Sequence, residues 1–400
     1  MKETKKKKFS EALAELIGEI ALTLIAAAIG FGIFKLFGAS GDFIDRNFDL
    51  MVLIGLFSVF LAVAAVVVIL MKIFGEKKTK PEAKRRGVDI ILDTDVGSDC
   101  DDMMALAYLV WAKRNLGIDI RAITVSNSCE GAIPAIRAFF KNLGEQTPAL
   151  GHPAEKVGAY DHYAKEVADG FGDAEQHAET DDAVAVMRRA LTESYDAVIL
   201  AIGPMTNLAA LLESPSDEAC SLDGISLVRE RCKKVVLMAG DFEKSAPEWN
   251  VKLDIAAMRT VLEKYPVPIS FVPYECGSDM ITGGFLLDEG YPENPLSLAF
   301  RLFPGTKAAG GRHSWDPAAA VYAVLGDNEL LSAGERVTVR LDGDGVTVAS
   351  PDACGMQNIV GVSVGEGEDA SYAKARVARY VDGCAKEIYS AGARGSSADV

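Results

Sequence analysis

Two long apolar segments dominate the first eighty residues of the chain, at 16–34 and 50–71. Each is close to the ~20 residues that a helix needs to cross the ~30 Å hydrocarbon core of a bilayer. The second segment holds no charged residue, whereas the first has Glu19 near its start. This pattern predicts a transmembrane hairpin over residues 1–75, with helices at about 12–36 and 50–72. An amphipathic helix lying in the membrane interface is the alternative for the first segment.

Basic residues flank the predicted hairpin on both outer sides, and acidic residues fill its turn. Lysines precede the first segment at positions 2 and 5–8, and a basic linker at 76–87 follows the second. The turn at 38–49 holds three aspartates against one arginine. Because Lys and Arg concentrate on cytoplasmic flanks, we predict a multi-pass membrane protein with two spans in the lipid bilayer and a cytoplasmic downstream domain.

Short β-rich runs alternate with helical stretches from residue 88 onward, which is typical of parallel βαβ units. We therefore predict an α/β fold, a Rossmann-like, doubly wound, mostly parallel sheet in a domain at 88–390, followed by a flexible tail at 391–400. The predicted strands are 88–92, 118–125, 197–202, 234–238 and 269–272. The predicted helices are 102–114, 132–142, 181–193, 206–213 and 254–264. Residues 336–341 and 346–349 alternate around an Asp-Gly-Asp-Gly turn and predict a β-hairpin.

The composition narrows the classes of function. The chain has 400 residues, 49% of them hydrophobic, and a formal charge of −16. This acidic excess argues against a nucleic-acid partner, because binding a phosphate backbone requires concentrated Lys and Arg. The seven cysteines never occur in C-x-x-C spacing, so the sequence indicates neither a disulfide framework nor a zinc site.

Five aspartates crowd the loop between the first strand and the first helix, namely Asp93, Asp95, Asp99, Asp101 and Asp102. Their repulsion is costly unless a hard cation or the helix N-terminus neutralises it, and oxygen-only ligands select Ca²⁺ or Mg²⁺. Helix capping by Asp101 and Asp102 is the simpler explanation for part of the cluster. A calcium loop of the EF-hand type is not favoured, because no glutamate closes it at the twelfth position. The Asp-x-Asp motif at a strand end also allows phosphoryl transfer, which is a further hypothesis for the function.

The acidic loop resembles that of the inosine-uridine nucleoside hydrolase family, whose first strand ends in an Asp-x-Asp-x-Gly…Asp-Asp motif. Further segments match in the same order: Ile-Thr-Val-Ser-Asn at 123–127, Ala-Ile-Gly-Pro-Met-Thr-Asn-Leu at 201–208, Met-Ala-Gly at 238–240 with Glu-Trp-Asn at 248–250, and Ser-Trp-Asp-Pro-Ala at 314–318. The resemblance covers about residues 88–390. It implies a glycosidase that cleaves the N-glycosidic bond of ribonucleosides with the help of Ca²⁺, as in purine and pyrimidine salvage.

The resemblance also implies a role for each matching residue. Asp95 is similar to the residue that binds Ca²⁺ and takes a proton from the attacking water. Asp102, Asp316 and the backbone carbonyl of Ile202 resemble the other metal ligands. The residues that resemble ribose-binding positions are Asp101, Asn127, Glu248 and Asn250. Ordinary capping of helices or turns is the alternative explanation for Asn127, Glu248 and Asp316.

The sequence departs from the family pattern at three places. Two extra residues precede Asp101, so Asp99 becomes a further candidate metal ligand, and the shortened interval before Glu248 removes an expected ribose-contacting Asn. Trp315 stands where many members have the histidine that protonates the leaving base. A tryptophan can stack on a purine but cannot donate a proton as an imidazolium does. His313, two residues earlier, is the candidate replacement.

Two functions fit these expectations best. The first is a membrane-anchored, Ca²⁺-dependent hydrolase acting on nucleosides or related ribosyl compounds. The alternative is a non-catalytic, membrane-tethered protein that binds a ribosyl ligand, since the usual proton donor is missing. Relatives commonly assemble as dimers or tetramers, so the resemblance implies a homo-oligomer as well.

Overall fold

A computed structural model describes residues 87–153, 157–158, 160–173 and 178–392. The strands are β1 (Asp89–Thr94), β2 (Asp119–Val125), β3 (Ala149–His152), β4 (Asp181–Asp182), β5 (Ala197–Ala201), β6 (Cys232–Met238), β7 (Ile269–Val272), β8 (Ile281–Thr282), β9 (Arg312–His313), β10 (Leu331–Leu341), β11 (Thr347–Pro351) and β12 (Gln357–Val362). The α-helices are α1 (Asp101–Leu116), α2 (Ala132–Asn142), α3 (Ala164–Phe171), α4 (Ala183–Glu193), α5 (Thr206–Glu213), α6 (Gly224–Arg231), α7 (Trp249–Leu253), α8 (Ile255–Lys264), α9 (Tyr274–Gly277), α10 (Pro295–Leu302), α11 (Thr306–Ala309), α12 (Trp315–Leu325) and α13 (Ala370–Gly392). A 3₁₀ turn spans Gly284–Leu287.

Ten of these strands form one sheet in the order β11-β10-β12-β7-β6-β5-β1-β2-β3-β4. The strands from β12 to β4 are parallel, and β10 runs antiparallel to both of its neighbours. The strand order reverses between β1 and β5, because β2 to β4 continue on one side of β1 and β5 to β7 on the other. In an open α/β sheet, such a reversal creates a crevice at the carboxyl ends of the strands.

The central strand is buried on both faces, as parallel strands covered by helices must be. Ile90 and Leu92 point into one hydrophobic core, and Ile91 points into the second core on the opposite face. All three side chains are fully buried. Because successive side chains point to opposite faces and both faces are covered, Ile90, Ile91 and Leu92 are all apolar, and polar residues follow only at Asp93 and Thr94.

Local sequence sets several helix ends. Asp182 caps α4 by accepting hydrogen bonds from the N–H groups of Val184 and Ala185. At α10, Asn294 and Ser297 cap each other and Pro295 occupies the first turn. Helix α1 ends at Leu116, and the left-handed φ of 71° at the following residue, Gly117, suits glycine.

The α/β fold with a mostly parallel sheet is confirmed. The predicted strands correspond to β1, β2, β5, β6 and β7, and the predicted helices to α1, α2, α4, α5 and α8, within two residues at either end. The predicted hairpin is formed by β10 and β11. The prediction did not include β3, β4, β12 or the long helix α13. Helix α13 ends at Gly392, inside the predicted tail, and residues 393–400 lie outside the described part.

The predicted transmembrane hairpin at 1–75 and nearly all of the linker at 76–87 lie outside the described residues. Within the described residues, no helix combines the length and the apolar character that a membrane span requires.

Candidate active site

A cavity of about 380 Å³ opens at the carboxyl ends of the central strands. Most of its lining comes from the segments that follow β1, β5, β6 and β7 and from the start of α12, as expected at a reversal of strand order, and the rest comes from the segments after β3 and α10 and from β9. The lining residues are Asp95, Ser98, Asp99, Asp101, Asp102, Tyr160, His162, Ile202, Met238, Glu248, Trp249, Asn250, Tyr274, Phe303, Arg312, Trp315 and Asp316.

Three buried aspartates from distant parts of the chain converge in this cavity. Asp101, Asp102 and Asp316 each offer a carboxylate oxygen within 4.8 Å of the other two. The backbone N–H groups of Trp315 and Asp316 donate to Oδ2 of Asp101 at 3.1 Å, which ties the start of α12 to the start of α1. Oδ1 of Asp102 accepts from the Thr94 hydroxyl and from the Asp95 N–H, whereas its Oδ2 is buried with no hydrogen-bond partner.

These three residues, together with Asp95 and Glu248, form what we call the carboxylate cluster. Burial raises the pKa of Asp101, Asp102 and Asp316 well above the ordinary value, and the neighbouring carboxylates raise each pKa further. Burial also raises the pKa of Asp95 to about 7, with contributions from the charges of Asp99, Asp93 and Glu248. Such repulsion, together with the partnerless Oδ2 of Asp102, fits a site for a divalent cation that takes oxygen ligands.

Asp95 lies in the same cavity, and its position depends on close contact between strand ends. A Cβ atom at Gly203 would lie 3.0 Å from the Asp95 Cβ and 3.1 Å from the Asp95 nitrogen, and still closer to the Ser126 hydroxyl. Only a glycine therefore lets the segment after β5 pack this closely against the end of β1. The Ile202 N–H also donates to the Asp93 carbonyl at 2.8 Å, which fixes the two segments to each other.

The Asp93 carboxylate is fully buried behind this junction. Thr124 and Asn207 both donate to its Oδ1, at 2.6 and 2.8 Å. Asn207 also donates to the Val125 carbonyl at 2.8 Å, so it joins β1, β2 and the start of α5. Burial raises the pKa of Asp93 to about 7. The geometry of these strand ends thus depends on a buried polar network as well as on apolar packing.

Glu248 and Asn250 are placed by the start of α7. The Glu248 carboxylate accepts from the N–H groups of Gly240, Asn250 and Val251 at 3.0–3.3 Å. Burial raises the pKa of Glu248 to about 7, although these hydrogen bonds lower it. The Asn250 amide donates to the carbonyls of Ile202 and Met238 at 3.1 Å. The Ile202 carbonyl keeps a second lone pair, so it remains available as a ligand.

Aromatic rings and one arginine form the second group of lining residues, Tyr274, Phe303, Arg312 and Trp315, which we call the stacked cluster. The rings of Tyr274 and Trp315 are 5.4 Å apart at an angle of 30°. The Arg312 guanidinium lies 5.0 Å from the Trp315 ring centroid and 4.8 Å from that of Phe303. Trp315 Nε1 donates to the Tyr274 carbonyl at 2.9 Å. Trp315 thus lines the cavity with an aromatic ring whose N–H is already engaged.

Three predicted site residues occupy different surroundings from those expected. The Asp99 carboxylate forms a two-pronged ion pair with Arg312 and is not part of the three-aspartate group. Asn127 donates to the carbonyls of Asp95 and Val96 and accepts from the Cys129 N–H, so its amide braces the loop after β1 and does not line the cavity.

His313 is the third of these residues. Its Nδ1 accepts from the Asp279 N–H at 2.9 Å, and its ring packs on Trp315 without lining the cavity. Burial and the Arg312 charge lower its pKa, which is the wrong direction for a proton donor.

Sequence reasoning missed several lining residues, above all Arg312, Tyr274, Phe303 and Tyr160. Trp249 stands within the matching Glu-Trp-Asn segment but was given no role, and His162, in the segment after β3, also lines the cavity. Tyr160 and Trp249 contact each other with ring centroids 5.6 Å apart, and both are more than a third exposed. The position of Tyr274 directly after β7 was the available signal, because residues at that point line the crevice of such a sheet.

Comparisons with known proteins agree with this geometry. The sequence model of the inosine-uridine preferring nucleoside hydrolase family matches residues 90–385. None of the curated proteins compared with the chain matches it.

Solved structures share the fold. The inosine-uridine preferring nucleoside hydrolase from Bacillus anthracis has a TM-score of 0.56 at 17% identity, covering 75% of this chain and 99% of that one. The purine-preferring ribonucleoside hydrolase from Gardnerella vaginalis has a TM-score of 0.54 at 19% identity, covering 75% and 99%. The type III effector protein XopQ, complexed with adenosine diphosphate ribose, has a TM-score of 0.51 at 18% identity, covering 76% and 95%.

Proposed function

Because the chain belongs to the inosine-uridine preferring nucleoside hydrolase family, we propose that it hydrolyses the N-glycosidic bond of a ribonucleoside or a related ribosyl compound, giving ribose and the free base. One observation carries this proposal: Asp101, Asp102 and Asp316 converge in the cavity that Asp95 also lines. A sugar that gains positive charge as its glycosidic bond breaks is stabilised by such a group of anions.

We propose Ca²⁺ as the cofactor. Asp102 and Asp316 belong both to the converging group and to the ligand set that the family pattern implies. Asp101 or Asp95 and the Ile202 carbonyl complete an oxygen-only donor set, which suits a hard cation. When bound, the ion supplies a positive charge that lowers the pKa of a water molecule and attracts the ribose hydroxyls.

The side chains of the cavity then have separate tasks. Asp95 takes a proton from the attacking water, since its carboxylate lines the cavity beside the converging aspartates. Glu248 is held in place by three backbone N–H groups and accepts a hydrogen bond from a ribose hydroxyl. The ring face of Trp315 stacks on the base.

Release of ribose tests the proposal directly. Purified protein with Ca²⁺ is incubated with inosine, adenosine, uridine, cytidine and ADP-ribose, and the sugar product is measured. We expect Asp95→Asn to lower the rate at least about 1000-fold, because the general base is lost. Asp344→Asn, in the exposed β10–β11 turn, is the matched control and retains the rate. A wild-type rate in Asp95→Asn, with unchanged melting temperature, contradicts the proposed role.

A non-catalytic ribosyl-binding protein is the second candidate function. It is favoured by the engaged Trp315 Nε1, which leaves the usual position of the proton donor without one. The complex of XopQ with ADP-ribose is the reason to include that compound as a ligand. Calorimetry on the same panel separates the two functions, since binding without release of sugar in the presence of Ca²⁺ supports the second.

We also propose that residues 1–75 anchor the protein in a membrane as two spans, with the hydrolase domain in the cytoplasm. Two apolar segments and the basic residues on their outer flanks support this arrangement. Fractionation of cells that express the full chain tests it, because carbonate extraction releases peripheral proteins but leaves spanning ones in the pellet. Protease treatment of sealed vesicles then reports the orientation. Cross-linking in the same vesicles tests the proposed homo-oligomer.

A further inference from the structure

Arg312 is the one lysine or arginine among the described residues that line the cavity. Six carboxyl groups line the same space. A cation at this position disfavours the positive charge that develops on the sugar. Arg312 should therefore interact with a different part of the substrate.

The guanidinium is fixed on two sides. Its Nε donates to Asp99 at 2.9 Å and its Nη2 pairs with the same carboxylate. The ring centroids of Phe303 and Trp315 lie 4.8 and 5.0 Å from it. Nη1 makes no hydrogen bond to any described residue. The group is therefore a preorganised cation with one free N–H edge.

Neither Trp315 nor its neighbour His313 offers a free proton to the cavity, and Tyr274, which holds the one hydroxyl of the stacked cluster, packs its ring against the Lys244 amine. Trp315 Nε1 is occupied by the Tyr274 carbonyl, and Nδ1 of His313 accepts a hydrogen bond from the Asp279 N–H. His162 lines the cavity, but it is exposed and its ring contacts the edge of Phe303. Breaking an N-glycosidic bond sends the bonding electrons to a ring nitrogen of the base, where negative charge grows. The Arg312 guanidinium beside Trp315 is placed to stabilise that negative charge.

We propose that Arg312 is a catalytic residue that stabilises the departing base as an anion, in place of a proton donor. The inference rests on the proposed hydrolase function. The water oxygen forms the bond to the anomeric carbon and loses one proton to Asp95. The carbon–nitrogen bond breaks with its electron pair on the base nitrogen, which takes a proton from solvent water after departure. Asp95 returns its proton to solvent, and Arg312 keeps all of its protons throughout.

A comparison of leaving groups tests this role. Inosine loses a basic nitrogen anion, whereas p-nitrophenyl β-D-riboside loses a phenolate that is already stable. We expect Arg312→Gln to lower kcat for inosine about 100-fold and kcat for the nitrophenyl compound less than about fivefold. Arg312→Ala should regain part of its inosine activity when millimolar guanidinium is added. His162→Gln should lose less inosine activity than Arg312→Gln.

Two further variants separate this role from a structural one. Arg379→Gln removes an arginine that stacks on Tyr372 outside the cavity, 5.4 Å from its ring centroid, and should leave both rates unchanged. Asp99→Asn breaks the ion pair but leaves the guanidinium in place, so it should lose less inosine activity than Arg312→Gln. Equal losses in Arg312→Gln for the two substrates, or equal losses in Asp99→Asn and Arg312→Gln, overturn the inference and leave the hydrolase function intact. If the wild type releases sugar from no ribosyl compound, the proposed function fails first and the inference falls with it.

Discussion

The carboxylate cluster and the stacked cluster share one cavity but are held in place by different means. The carboxylates stand at helix starts and strand ends, where backbone N–H groups and the ends of β1 and β5 position them. The stacked residues come from short pieces such as α9 and β9 and hold each other through ring and guanidinium contacts. The first arrangement concentrates carboxylates that repel one another, whereas the second pairs its one cation, Arg312, with Asp99 and holds it against aromatic rings.

This difference in how the residues are held predicts different functions for the two clusters. Mutual repulsion in a buried site can be relieved by protons or by a metal ion, so the carboxylate cluster should respond strongly to pH and to Ca²⁺. The stacked cluster holds one ion pair and three rings, so it should govern which base is accepted. Asp101 connects the two clusters, because its carboxylate accepts a hydrogen bond from the Trp315 N–H.

The largest expected effect is on stability in the absence of metal. The pKa values of Asp95 and Glu248 are raised to about 7 from ordinary values near 4, so the folded state holds more protons than the unfolded state between these limits. Stability without metal should therefore fall as the pH rises from about 4 to about 7. We expect the melting temperature in EDTA to be lower at pH 8 than at pH 5, and excess Ca²⁺ at pH 8 to raise it by several degrees.

Asp102→Asn sharpens that result. The amide keeps the acceptor for Thr94 and Asp95 and removes one buried charge, so the metal-free protein should become more stable at pH 8. Its response to Ca²⁺ should be lost. Differential scanning calorimetry with and without Ca²⁺ measures both, and an unchanged Ca²⁺ response in the variant would show that the ion binds elsewhere.

The next effect concerns the junction behind the carboxylate cluster. Gly203→Ala places a methyl group against Ser126 and 3.0 Å from the Asp95 Cβ, so the strand ends must separate. We expect a loss of roughly 1–3 kcal/mol in stability. We also expect kcat to fall about 10-fold to 100-fold because the general base is displaced. Gly343→Ala, where nothing lies within 4 Å of the added atom, is the control and should leave both properties unchanged.

The two clusters also differ in how far sequence predicts them. Asp95 follows β1 and Asp102 lies in the first turn of α1, so their place at the strand ends follows from the parallel sheet once β1 is identified. Asp316 lies in the first turn of α12, after the short strand β9, and only the family resemblance predicts that it joins them. The resemblance to a family supplied their roles. Arg312 and Phe303 lie in a region of short elements with no periodic pattern, and their contacts depend on tertiary packing that spacing does not encode. Helix α13 was missed as well, although its sequence is amphipathic.

The smallest expected effect separates the two histidines near the stacked cluster. His313 accepts the Asp279 N–H and packs on the Trp315 ring, outside the cavity lining. His313→Gln preserves a hydrogen-bond acceptor, so kcat/KM for inosine should change less than about threefold and keep its pH profile. Replacement of His162, which lines the cavity, should instead raise KM with little change in kcat, because its ring contacts Phe303 beside the stacked base. If His313→Gln instead removed a pH-dependent step from the inosine reaction, His313 would be a proton donor. The proposal that Arg312 stabilises the departing base in place of a proton donor would then be wrong.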